Sequence, residues 1–164
     1  MTDSTNHLPI GPLSLFALRQ EFTENRRLLA ACHADVLQSL AELNAIVMRE
    51  AAAVQSAPRR AAAACAIAEQ LGAALGCPAA EAQERMSDAA SLIRDYPATF
   101  AALRAGEIEI DHVRRIQRGG VGMTDRTTRA RFEHAALAIA KQHAADRTEE
   151  IKAILVGAAP RLRC

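Results

Sequence analysis

The hydrophobic residues of this chain recur at intervals of three, four and seven positions, and no long run alternates between apolar and polar. Leu29, Val36 and Leu43 are seven residues apart, and Leu40 and Val47 form a second row offset by four from Val36. This heptad spacing is typical of an amphipathic helix, and neither Gly nor Pro interrupts residues 14–54. The pattern predicts a long N-terminal helix whose seam packs either on the rest of the domain or on a second copy of the chain.

Shorter helices are predicted along the rest of the chain, because the remaining apolar rows also have helical spacing and are separated by Gly and Pro. They cover residues 59–76, 78–95, 98–106, 110–118, 125–145 and 149–157. On the longest of these we expect Phe132, Ala136, Ile139 and Ala140 to form the buried stripe. The predicted fold class is all-α, with six or seven helices, no sheet, and the long helix packed on a helical bundle.

Two of these helices fit a helix-turn-helix template. Gly72 and Gly76 would allow two helices to cross closely, and Pro78 is well placed in the first turn of the second helix. The polar side chains that this second helix would display are Gln83, Glu84, Arg85 and Asp88. Because two of these four are acidic and repel phosphate, a purely structural hairpin is favoured over a helix that reads DNA.

Charge is nearly balanced over the whole chain, at a formal net +1, which argues against a polybasic protein that coats DNA or membranes. The most basic stretch is residues 114–131, where six arginines accompany one acid, Asp125, and flank the Gly-rich loop 119–122. The six are Arg114, Arg115, Arg118, Arg126, Arg129 and Arg131. Guanidinium groups around a loop of this kind suit a DNA backbone contact. A solvated arginine face is favoured over that contact, and the stretch is still the best candidate for a functional surface.

Motifs for catalysis, metals and cofactors are missing from the sequence. The four Cys form no CxxC pair, the five His form no HExxH motif, and no GK[ST] follows the Gly-rich loop. We therefore predict no metal, no cofactor and no catalytic residue. The N-terminus lacks the pattern of a signal peptide, and no apolar run has the length of a membrane span, so we expect a cytoplasmic protein with no membrane partner.

The run from residue 66 to residue 116 carries a family resemblance. With its ALG turn at residues 74–76 and YPATFAALRAGEI at residues 96–108, it resembles an actinobacterial domain of unknown function found N-terminal to HNH endonuclease domains, the 13E12 repeat family. The resemblance extends over about residues 25–157 and includes a later pattern through Thr148 and Ile151. It implies an all-helical, nuclease-associated module to which no activity of its own is assigned.

The family usually continues into an HNH domain, and the present sequence ends at Cys164 without one. We therefore expect a flexible lead-in at residues 1–12, one domain at residues 13–158, and a tail at residues 159–164 leading to a missing or lost HNH domain. The expected function is a non-catalytic accessory domain of an HNH-endonuclease-type protein that contributes DNA binding, with nuclease activity only if an HNH domain is supplied elsewhere. The alternatives are a self-association or partner-docking module, including a homodimer through the N-terminal helix, and a truncated remnant without activity.

Overall fold

The computed structural model describes the backbone of residues 12–53 and 56–158, and the side chains of residues 16–53 and 56–150. Over these ranges the chain forms six α-helices and no strand, which confirms the all-α prediction. The helices are α1 (Pro12–Ala53), α2 (Ala57–Leu75), α3 (Ala79–Asp95), α4 (Pro97–Arg104), α5 (Ile110–Gly119) and α6 (Arg126–Ala158). Apart from Pro12, which begins α1, the expected lead-in and the expected tail lie outside the described residues.

The helices are arranged around two hydrophobic clusters that α1 and α3 connect. The large core contains Ala34 of α1, Leu92 of α3, Leu103 of α4, and buried residues of α5 and α6. The small core contains Leu40 of α1 with buried residues of α2 and α3. Leu37 packs against both clusters, so α1 serves as the support on which the other helices are placed.

The turn between α2 and α3 has the tight geometry that the two glycines predict. Gly76 ends α2 in the left-handed conformation, with φ of +66°, and the axes of α2 and α3 differ in direction by 96°. Gly72 is buried at the crossing, where an added Cβ would lie 2.6 Å from the backbone oxygen of Cys77. Ala82 is fully buried on α3. The angle falls in the range of about 90–120° that is typical of helix-turn-helix units.

The last helix differs from the sequence prediction in two ways. It is continuous from Arg126 to Ala158, and Thr148 lies inside it and donates its hydroxyl to the backbone oxygen of Ala144 instead of beginning a new helix. Of the predicted stripe, Ala140 is buried and Phe132 and Ala136 pack partly buried against the large core, whereas Ile139 is 71% exposed. Leu137 and Ala144 complete the buried stripe.

A charged residue, Glu133, is also buried on the inner face of α6, one turn before Leu137. Its carboxylate accepts a hydrogen bond from the backbone N–H of Thr99 at 2.7 Å, close to the N-terminus of α4. A prediction from the spacing of hydrophobic residues assigns charged residues to the solvent-exposed face, so it could not identify Glu133 as buried.

Among the described residues, no helix by itself has the length and apolar composition needed to cross a membrane, and only α2 and α3 taken together, with their 96° bend, meet that test.

Candidate functional site

The most amphipathic element of the domain is the short helix α5. His112, Val113 and Ile116 are buried on its inner face. Three exposed arginines, which we call the arginine face, occupy the opposite side, within about 100° of one another on a helix that turns about 100° per residue. They are Arg114, Arg115 and Arg118. Because packing fixes the inner side of α5, these three side chains extend from a rigid support.

The arginine face is only partly neutralised by acids of the same chain. Arg114 Nη1 lies 3.3 Å from Asp111 Oδ1, one turn earlier on α5. Arg118 donates its Nε–H to the backbone oxygen of Arg114 at 3.3 Å. Within the described part of the chain, Arg115 and Arg118 have no ion pair with a carboxylate. Two guanidinium groups on this helix are therefore available to an anion.

A cleft of about 700 Å³ lies beside the arginine face, between α3, α5 and the loop that follows α5. Arg114 and Arg118 line one wall, and Glu84 and Asp88 of α3 line the other. The side-chain amide of Gln117 donates to the backbone oxygen of Asp88 at 3.0 Å and so connects the two helices. The interior of the cleft therefore carries both signs of charge, whereas the outer surface of α5 is basic.

Within the acidic wall of Glu84 and Asp88, the ionisation of Asp88 depends on its surroundings. Burial raises the pKa of the Asp88 carboxyl above its usual range, and the neighbouring carboxylate of Glu84 raises that pKa further. Both effects mean that a further negative charge in the cleft would be unfavourable. An anionic ligand would meet less repulsion on the outer surface of α5 than between the two walls.

The Gly-rich loop is held in place, although its composition predicts a loose segment. Gly120 is packed so closely under Tyr96 that an added Cβ would overlap the Tyr96 hydroxyl. Arg129 is half-buried and donates its Nε–H to the backbone oxygen of Met123 at 3.1 Å and an Nη–H to Asp95 at 2.9 Å. Arg129 therefore fixes the loop and is not an open anion contact, in contrast to its predicted role.

The two remaining predicted arginines lie away from the cleft. Arg126 and Arg131 are exposed on α6, and neither lines the cleft. Arg131 is about 120° or more around α6 from the buried Leu137 and Glu133, so it faces away from the bundle. Asp125 caps this helix, because its carboxylate accepts the backbone N–H of Thr128 at 2.6 Å. The six arginines of residues 114–131 therefore do not form a single surface.

The second helix of the helix-turn-helix-like hairpin does not present an open reading surface. Gln83 and Arg85 are exposed, but Arg85 is paired with Glu81 on the same helix at 2.6 Å. Glu84 and Asp88 face α5 across the cleft. The structure thus gives Gly72, Gly76 and Pro78 a clear structural role in the turn, and it gives the following helix an acidic edge beside the arginine face.

The predicted seam on α1 is divided between covered and open positions. Leu40 and Val47 are buried and Leu43 is half-buried, so the body of the domain covers this part. Leu29 and Val36 remain 58% and 55% exposed. The heptad pattern identified the stripe but could not show which half of it α2 and α3 cover.

A histidine pair that the spacing did not suggest lies on the other side of α5. His112 is buried, and its Nδ1 accepts the backbone N–H of Glu109 at 3.2 Å. Its Nε2 lies 3.4 Å from Nδ1 of His143 on α6. Burial lowers the pKa of His112 below its usual value, against the opposing effect of the Glu109 carboxylate. Within the described ranges, no cluster of three or more His, Cys, Asp or Glu side chains is arranged to hold a metal ion.

The family of the chain follows from comparison with known proteins. The family model DUF222, a domain of unknown function, matches residues 16–161, and the chain belongs to this family. No curated protein and no solved structure matches the chain. The family match confirms that the sequence resemblance is to a domain of unknown function.

Proposed function

We propose that this chain is a non-catalytic helical accessory domain of an actinobacterial, HNH-endonuclease-type protein, and that it contacts the DNA backbone through the arginine face of α5. The proposal is supported by one observation above all: Arg115 and Arg118 are exposed on a rigid helix with no carboxylate partner in the described part of the chain. A guanidinium group forms charge-assisted, often bidentate hydrogen bonds with phosphate oxygens.

The DNA contact is expected on the outer surface of α5 and not inside the cleft. The acidic wall makes the interior of the cleft unfavourable for phosphate. Arg114 is already paired with Asp111, whereas Arg118, which also lines the cleft, has no ion pair with a carboxylate in the described part of the chain. Arg115 and Arg118 should therefore contribute more to binding than Arg114. With so few phosphate contacts, we expect binding that is weak, independent of base sequence, and reduced about tenfold when the salt concentration is raised about fourfold.

Fluorescence anisotropy of a labelled DNA duplex, titrated with the purified chain at several salt concentrations, tests this proposal. In the double variant R115E/R118E we expect binding at low salt to weaken at least about tenfold and the slope of log K against log salt to fall by about two. The matched control is R49E/R59E, which makes the same charge change at exposed arginines on α1 and α2. Equal loss of binding in both double variants would show that only net charge matters and would contradict the assignment to α5.

The nuclease association has a separate test. Sequencing the DNA downstream of this coding segment should reveal an HNH motif, in frame or displaced by a frameshift. Absence of any such motif would leave the DNA contact to be judged by the binding experiment alone and would remove the nuclease part of the proposal.

A further inference from the structure

One apolar stripe runs along α1, and only its C-terminal half is covered. The uncovered half, which we call the open stripe, has side chains between 46% and 58% exposed. It contains Leu18, Phe22, Leu29 and Val36. Leu18 and Phe22 are four apart, and Phe22, Leu29 and Val36 are seven apart, which is the spacing of a helix seam.

The covered half continues the same face of the helix. Leu40 and Leu43 pack in the small core with Ala68 and Leu71 of α2 and with Met86 of α3. On a helix that turns about 100° per residue, Leu29 and Val36 lie within about 60° of Leu40 and Leu43. The open stripe is therefore a direct extension of an established helix–helix interface, over about 27 Å from residue 18 to residue 36.

We propose that a second copy of this chain covers the open stripe, with its own α1 lying antiparallel along the same residues. A two-fold axis near residue 27 places Leu18 against the partner's Val36, Phe22 against the partner's Cys32, and Asn25 against the partner's Leu29. Each layer then contains at least one large apolar side chain, and the polar Asn25 does not face its own copy. The same patch is used on both chains, so the dimer is closed.

The position of α2 and α3 selects the antiparallel direction. In a parallel pair, the partner's α1 would continue beyond residue 36 into the space over Leu40 and Leu43 that α2 and α3 occupy. In the antiparallel pair, only residues 12–17 of the partner's α1 extend past residue 36 towards α2 and α3, and the rest of that helix leaves the domain beyond the N-terminal end of α1. The parallel arrangement overlaps α2 and α3 with residues 37–53 of the partner's α1, so it needs a much larger displacement of these helices than the antiparallel arrangement does.

Two of the charges beside the open stripe already have partners within their own chain. Arg26 is bonded to Glu109, and Asp35 lies 3.7 Å from Arg104. The proposed dimer brings Arg26 near the partner's Arg26, and Glu21 near the partner's Asp35. Because Arg26 and Asp35 are neutralised by their own ion pairs, the repulsion between the two chains is reduced.

Sedimentation equilibrium of the full chain over about a hundredfold range of concentration tests the dimer. We expect a concentration-dependent dimer for the natural sequence and a monomer for L29E/V36E, with unchanged helix content because both side chains are exposed. The control is I139E, which places one glutamate at an exposed apolar position on α6, outside the open stripe. A monomer at every concentration for the natural sequence, or equal dissociation by I139E, would overturn the proposal.

Cross-linking tests the direction of the two helices. In a background with Cys65, Cys77 and Cys164 replaced by Ser, the variant F22C should form a disulfide-linked dimer with the native Cys32 under mild oxidation. The same background without F22C should stay uncross-linked, because the antiparallel pair keeps the two Cys32 thiols apart. Efficient cross-linking through Cys32 alone would indicate a parallel pair and would overturn the antiparallel arrangement.

Discussion

Individual polar residues hold α5 in its position. The backbone N–H of Glu109 donates to Nδ1 of His112, so the neutral ring carries its proton on Nε2 and directs it towards Nδ1 of His143. This arrangement requires neutral His112, because protonated Nδ1 would confront a backbone donor. Burial disfavours the charged ring in the same direction, and Arg115 and Arg147 add to this effect.

The stability of the domain should therefore decrease as the pH falls. The pKa of His112 is lower in the folded state than its ordinary value of 6.5, so the unfolded chain takes up a proton more readily. The stabilisation is present above about pH 6.5 and is lost as the pH falls through the folded-state pKa. Urea unfolding at about pH 7.5, 6.5 and 5.5 measures this change.

The variant H112N should flatten this pH dependence, because its amide oxygen can replace Nδ1 as an acceptor without titrating. H134N serves as the control, since His134 is exposed on α6. If H112N kept the full pH dependence while H134N removed it, the assignment to His112 would be wrong.

The arginines show why single residues were hard to classify from sequence. Arg115 and Arg129 are the same residue type in the same basic stretch, yet one is exposed and the other is bonded to Asp95 and Met123. Asp95 lies thirty-four positions before Arg129, so no local pattern reveals the pairing. The sequence identified the basic stretch. Only the fold distinguishes the arginines that are open to an anion from Arg129, whose hydrogen bonds hold the loop in place.

At the scale of helices, prediction succeeded where periodicity carries the information. Five of the helices follow runs with helical spacing that end at Gly or Pro, as α2 does at Gly76. Prediction failed at Thr148, where the sequence suggested the start of a new helix. In the structure Thr148 lies inside the continuous α6 and accepts a hydrogen bond from Arg26, a residue far away in the sequence.

The helix α2 is the least firmly attached of the helices that form the hairpin. Its buried residues are Ala68 and Gly72, both small, whereas α3 buries Met86 and Leu92 in addition to two alanines. Small side chains remove little apolar surface from water, at about 25 cal/mol per Å². The free energy that holds α2 on the domain should therefore be much smaller than that for α3.

Hydrogen exchange followed by mass spectrometry should show this difference. We expect backbone amides of α2 to exchange at least about tenfold faster than those of α3, because local opening of α2 requires less free energy than global unfolding. The internal control is α4, which buries Phe100 and Leu103 and should match α3. Protection of α2 equal to that of α3 would contradict this account of its attachment.

Over the whole molecule, the fold class was predictable and the location of the functional surface was only partly so. An apolar period of three to four residues without strand alternation requires helices, which the structure confirms. The open stripe depends instead on where α2 and α3 end, and the acidic wall opposite Arg114 depends on how α3 packs beside α5. Both features result from tertiary packing, and the spacing of hydrophobic residues in one sequence does not predict how the helices pack together.

The two cores share helices α1 and α3, and this sharing has consequences for unfolding. Leu37 packs against the large core and the small core at once. Losing either cluster would expose apolar surface of the helices that support the other. Although α2 opens locally, the remaining domain should unfold in one cooperative transition.

The chain itself supplies two probes that test this cooperativity. Tyr96 is the only Tyr, there is no Trp, and Tyr96 is buried in the large core, so its fluorescence reports that core alone. Far-UV circular dichroism reports all the helices together. We expect the two signals to change at the same urea concentration, and L37A to shift both to lower urea by an amount equivalent to about 2 kcal/mol. If the circular dichroism signal changed at a much lower urea concentration than the Tyr96 fluorescence, the small core would unfold separately. Leu37 would then not couple the small core to the large core.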